Sequence, residues 1–202
     1  MLWGGMLIAV ALLIASLALS PKKAEAATKL VTKSFSNTNQ ILIPDSGAAN
    51  PYPSAISSSF PRGSKVRDVN VTLRNYTHDW PDDVDVLLVH AGVNRTIMSD
   101  VGGGNSNLVN NITLSLNDES ANGPLHDQNQ LSSGIFQPTN VGGGDTFFFP
   151  APNPASAKSS LSGFDGSRAK GTWKLFVQDD ELGQIGSMAG GWSVKIKAAV
   201  PR

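Results

Sequence analysis

The sequence contains no cysteine. Disulfide staples, thiolate metal sites and a cysteine nucleophile are therefore excluded. Charge is scarce too. Asp, Glu, Lys and Arg make up 16% of the 202 residues, below the ~25% of a typical soluble domain. The two signs balance at 16 each, with a pI near neutral. A nucleic-acid or polyanion binder that works by bulk charge is excluded on that balance. Glutamate is nearly absent, with three residues, and histidine is limited to His78, His90 and His126. After residue 27 no apolar run is long enough to span a bilayer, and no 3.6-residue period persists over three turns. The best helical candidate is a single short turn over 155–161.

One apolar stretch does occur, at the N-terminus. Residues 1–20 carry no charge, and 6–15 read M-L-I-A-V-A-L-L-I-A. Pro21, Lys22 and Lys23 follow, then an A-x-A site at Ala24, Glu25 and Ala26. This pattern predicts a signal peptide over 1–27, cleaved near Ala26 or Ala27, and a secreted protein. The positive charges follow the apolar run instead of preceding it, so an uncleaved membrane anchor is the other expectation. Removing 1–26 leaves 14 basic and 15 acidic residues. The remaining length suits one domain that buries its own core.

What is present is strand patterning. V-R-D-V-N-V-T-L at 66–73 alternates, with Val69, Val71 and Leu73 on one face. D-V-D-V-L-L-V at 83–89 places Val84, Val86 and Leu88 inward and Asp83 and Asp85 outward. Ile112, Leu114 and Leu116 share a face, as do Trp173, Leu175 and Val177. Trp192, Val194 and Ile196 face in, while Ser193, Lys195 and Lys197 face out. Gly and Pro clusters punctuate these runs: V-G-G-G-N at 101–105, V-G-G-G-D at 141–145 and the prolines of 150–154. They supply dihedrals that strands cannot adopt. Many short alternating strands without helices predict an all-β protein, an antiparallel jelly-roll β-sandwich, with 117–163 as one long excursion.

Carboxylates are the main chemical resource. Asp82, Asp83 and Asp85 fall within four residues, and Asp179, Asp180 and Glu181 are consecutive. Calcium takes six to eight oxygens from such loop acids. Asp82, Asp83, Asp85, Asp179 and Asp180 are therefore the candidate calcium ligands, although no EF-hand frame is present. The same acids, with Asp100 and Asp118, leave open a hydrolase that uses paired carboxylates. No G-x-S-x-G elbow exists, and G-S-M-A at 186–189 is expected to be a hairpin loop, so Ser187 is not assigned as a nucleophile. The Gly-Gly-Gly runs lack the Lys of a phosphate loop and read as flexible loops. His78 is expected to bond loop backbone or a carboxylate such as Asp79, with a binding role as the alternative. His90 is expected at an exposed strand tip. Trp173 and Trp192 belong to the core. Trp80, in the polar loop D-W-P-D, is the aromatic placed to bind a sugar or a protein. The Phe147, Phe148, Phe149 run is ambiguous between buried and exposed.

Several motifs then line up in order. They include I-L-I-P-D-S-G at 41–47, P-Y-P-S at 51–54, V-R-D-V-N-V-T-L at 66–73 and Y-T-H-D at 76–79. M-S-D-V-G-G at 98–103, G-I-F-Q-P-T at 134–139, G-T-W-K-L-F-V-Q-D at 171–179 and G-G-W-S-V-K-I at 190–196 follow. Together they resemble the P domain (homo B domain) of kexin- and furin-type proprotein convertases, in its bacterial secreted form. The resemblance covers residues 33–198. It implies a jelly-roll module, not itself catalytic, that packs on a subtilisin-like serine protease and tunes its stability and its calcium and pH dependence. No protease domain lies within these 202 residues. The expected partner is therefore a subtilisin-like protease encoded separately or lost from this chain. A surface polysaccharide or protein is the alternative partner, and no nucleic acid is expected.

Overall fold

The computed structural model describes Met1 and residues 27–104 and 107–202. The proposed signal segment therefore lies almost wholly outside the described residues. The described chain is nearly all β: β1 Thr28–Asn37, β2 Ile41–Ile43, β3 Gly47–Ala48, β4 Ser54–Ser58, β5 Lys65–His78, β6 Val84–His90, β7 Val93–Ser99, β8 Val109–Leu116, β9 Gly134–Phe136, β10 Thr139–Asn140, β11 Gly171–Asp179, β12 Gly186–Met188 and β13 Trp192–Pro201. Two 3-10 turns, Pro81–Asp83 and Leu161–Phe164, interrupt them. The second begins where the expected turn over 155–161 ends. No described helix is long and apolar enough to cross a membrane.

The strands form two open sheets. One has seven strands in the order β1-β13-β5-β12-β2, with β8 on the other edge of β5 and β9 beyond it. The other has six, in the order β10-β7-β6-β11-β3, with β4 also on β11. Pairing is mostly antiparallel, as the alternation predicts. Two short pairs, β8 with β9 and β10 with β7, are parallel. A single apolar core joins the sheets, with Val69, Val71, Leu73, Trp192 and Val194 from one and Val84, Val86, Leu88, Trp173 and Leu175 from the other. The arrangement is sandwich-like.

β4 links the two halves through polar contacts as well. Ser58 Oγ accepts the indole N–H of Trp173 at 3.2 Å, and Ser54 Oγ accepts that of Trp192 at 3.0 Å. Both indoles are fully buried. A buried Trp N–H needs such an acceptor.

The structure corrects three facing assignments, and the first is Asp83, buried at 8% exposure. Asp85 is 1% exposed and Leu87 is fully buried, so β6 is covered on both faces. The cover is Phe147 and Ala151, from the chain after Gly144, which cluster with Leu87 of β6 and Phe176 of β11. Phe147 is buried there, while Phe148 and Phe149 are exposed. Ser193 is also buried, whereas Lys195 and Lys197 on the same strand are exposed as expected.

Candidate metal centre

Adjacent strands deliver acids to one end of the six-stranded sheet. Asp85 is the second residue of β6. Asp100 follows the last residue of β7, the strand beside it. β10 pairs with the far edge of β7, Thr139 opposite Met98 and Asn140 opposite Ser99, and Asp145 lies five residues beyond Asn140. The two Val-Gly-Gly-Gly segments thus leave neighbouring parallel strands at the same end. One carboxylate oxygen from each of Asp85, Asp100 and Asp145 lies within 4.8 Å of the other two. Asp100 has a left-handed φ of +51°, a strained setting for a residue other than glycine and one that recurs at functional sites.

Like charges so close destabilise one another, and burial disfavours the ionised form. Burial pushes the Asp85 carboxyl up to about 7, and the Asp145 charge adds to the rise. The Gln178 side-chain amide donates to Asp85 at 3.1 Å, and the Ser99 hydroxyl donates to Asp100 at 2.9 Å. Burial also raises Asp100 despite that bond. Asp180 borders the group, pushed up to about 6 by burial and next by the charge of Asp100. Oxygens are left over here. Asp145 Oδ2 and Asn140 Oδ1 are buried and have no hydrogen-bond partner. Closely set, under-satisfied oxygens are the donor set of a hard divalent cation.

A second group lies where β11 ends. Asp179 pairs with Val84 in register, and the amide of Asp180 donates to the Asp83 carbonyl at 3.1 Å. Burial raises Asp83 to about 7, with the charge of Asp179 the next cause. His78 closes the group from the other sheet. Its Nε2 lies 3.0 Å from Asp179 Oδ2, and both side chains are fully buried. Its Nδ1 lies 2.8 Å from the carbonyl oxygen of Trp80 and 3.1 Å from the Trp80 amide nitrogen. The buried Tyr76 hydroxyl has no partner. Burial holds it well above its ordinary titration range, and the charge of Asp179 adds to this. Outward of these residues, Trp80, Asp83, Glu181, Leu182 and Gln184 line a pocket of about 310 Å³.

The five acids expected to bind calcium therefore divide. Asp85 joins Asp100 and Asp145. Asp83 and Asp179 belong to the His78 group, and Asp180 stands between the two. Asp82 is not one of the three converging acids, although its Oδ1 is also buried without a partner, and burial followed by the Asp127 charge raises its carboxyl. Asp145 escaped the sequence reading because V-G-G-G-D reads as a flexible loop, and only the parallel β7–β10 pair brings it back to Asp100. Asp118 is already engaged, its carboxylate accepting from the amides of Leu161 and Ser162 at 2.9 and 2.7 Å.

Three local expectations change. His90 is 2% exposed and stacks on Trp173 at 3.9 Å, because Gly171 has no side chain to displace it. Ser187 sits in β12, paired with both β5 and β2, and not in a hairpin loop. His78 does bond loop backbone, but its carboxylate is Asp179 and not the neighbouring Asp79.

The chain matches no family model, no curated protein and no solved structure with which it was compared.

Proposed function

We propose that this protein is a non-catalytic jelly-roll module of the P-domain type that carries calcium at its acidic end and docks and stabilises a subtilisin-like serine protease outside the cell. The observation that carries the reading is the convergence of Asp85, Asp100 and Asp145 within 4.8 Å. Three carboxylates at that spacing repel strongly unless a cation joins them. Asp85, Asp100 and Asp145, with Asp180 at the edge, are the residues that would hold it. Calcium there neutralises the end of the sheet and fixes the two glycine-rich loops that form its surface.

An acid–base role for these groups is less well supported. Asp85 is 1% exposed, so a sugar ring does not reach it. His78 and Asp179 are both fully buried, whereas a general base must reach its substrate.

The test is capture on the immobilised full-length chain, from the secreted proteins of the organism that makes it, in calcium and in chelator. Retention of a subtilisin-like protease in calcium alone supports the reading, as does a rise in that protease's thermal midpoint. Retention of no protease in either condition overturns the docking role.

A second reading rests on the Trp80 pocket. Leu182 and Ile185 beside it are 78% and 67% exposed, which suits a carbohydrate- or protein-binding surface. Trp80→Ala separates the two readings: glycan binding that disappears with the indole favours the second.

A further inference from the structure

Among the described residues the only contact within 4.0 Å between a carboxylate and a basic group is His78 with Asp179. One group of acids gathers where β11 ends, and another, Asp68, Asp118, Glu119 and Asp165, lies beside Arg67. Where β11 begins, a pocket of about 530 Å³ is lined by the turn carrying Arg62 and Ser64 and by Arg168, Lys170 and Thr172, with no acid in its wall. The two ends are about 26 Å apart along the nine residues of the strand, at ~3.3 Å per residue.

The wall of this pocket is held rigid, and its oxygens are turned inward. Ser58 Oγ lies 2.7 Å from the Ala169 carbonyl oxygen and 3.0 Å from that of Gly171, and its single proton serves the nearer one. The two ring nitrogens of His90 lie 2.7 Å from the Arg168 carbonyl oxygen and 2.9 Å from that of Thr172. Four of the five carbonyls of 168–172 thus lie against the Ser58 hydroxyl or the His90 ring on the buried side. The His90 ring stacks on the face of Trp173 at 3.9 Å beneath the pocket. Oxygens that repel an anion point inward, and the exposed side chains of Arg62, Arg168 and Lys170 have no carboxylate partner.

We infer that this pole is a binding site for an oxyanion, phosphate or carboxylate, carried on a sugar-sized ligand. Guanidinium forks match both groups. The volume falls in the ~300–1,000 Å³ of small-ligand sites, more than a bare phosphate fills.

The experiment is isothermal titration of the full chain with four probes: glucose 6-phosphate, glucuronate, glucose and inorganic phosphate. The sugar phosphate, the sugar carboxylate or both bind at least tenfold more tightly than glucose, and the preferred probe names the anionic group. Affinity falls as salt rises. The double variant R168Q/K170Q loses at least tenfold while keeping the wild-type thermal midpoint, because both side chains are exposed. Lys174→Gln, an exposed lysine elsewhere on β11, leaves affinity unchanged. Equal binding of glucose, or unchanged affinity in the double variant, overturns the site. Inorganic phosphate binding as tightly as the sugar phosphate overturns the sugar-sized ligand. Sedimentation is run in parallel. Self-association that the double variant abolishes would give this pole to the acidic end of a second copy and overturn the small-ligand assignment.

Discussion

His78 Nε2 and Asp179 Oδ2 face each other at 3.0 Å across the two sheets, with neither side chain exposed. Removing one member of such a pair leaves the other buried without compensation, which costs ~3–5 kcal/mol. His78→Leu is therefore expected to destabilise the fold by about that amount in urea unfolding. The loss exceeds that of an exposed substitution such as Lys174→Ala.

The acidic end makes stability depend on pH in an unusual direction. Asp83 and Asp85 titrate near 7 in the folded chain, against an ordinary value of 3.8. A carboxyl with a raised folded value holds protons that the unfolded chain has released, so its ionisation opposes folding. In chelator, the thermal midpoint is expected to fall as pH rises from about 4 to about 7. Calcium should reverse this. Its gain is expected to be small at pH 5 and large at pH 7.5, where the acids are ionised and cation binding no longer competes with protons. At a hundredfold excess over Kd the gain is ~2.7 kcal/mol, or roughly 5–11 °C for a domain of this size. A chelator scan that is flat across this range would contradict the raised values.

Asp85→Asn separates electrostatics from packing. The amide keeps the shape and removes one of the converging charges. The variant is expected to be more stable than wild type in chelator and to lose the stabilisation by calcium. Asp145→Asn should act in the same direction, and Asp82→Asn should leave the calcium response intact. Differential scanning calorimetry with and without calcium reads all three. A calcium response that survives Asp85→Asn and Asp145→Asn would move the cation elsewhere.

Ser58 joins the core to the basic pole. Its hydroxyl accepts from the Trp173 indole and donates to the Ala169 carbonyl, with the Gly171 carbonyl 3.0 Å away. Ser58→Ala strands buried polar groups, at ~1–3 kcal/mol. The same change should loosen residues 168–172, raising amide hydrogen exchange there and weakening anion binding at the pole. Ser54→Ala, which strands the Trp192 indole, should cost a similar amount and leave the pole unchanged.

Phe147 is the anchor of the segment that delivers Asp145. It is 1% exposed and packs with Leu87 and Phe176 on the outer face of β6. Phe147→Ala is expected to cost ~3–5 kcal/mol. It should also weaken calcium affinity, because Asp145 lies two residues away. Affinity that stays at the wild-type value would show that Asp145 is positioned by its own loop.

The sequence by itself determined the β character and most of the inward faces. Val69, Val71 and Leu73, or Leu175 and Val177, alternate because one side of each strand meets the other sheet, and period-two patterning records this. It also marked both core tryptophans and the acid-rich character of the chain. Tertiary structure decided which acids meet. Asp85, Asp100 and Asp145 are far apart in the chain, and the parallel β7–β10 pair that unites them has only two residues on β10, too short to leave a pattern. It decided that Asp85 is buried, because the covering Phe147 lies sixty-two residues away. It placed His78 on Asp179 and His90 on Trp173, pairings across strands that local spacing does not encode. Local alternation is a property of a strand, whereas the meeting of loops at a sheet end depends on strand order, which only the folded chain fixes.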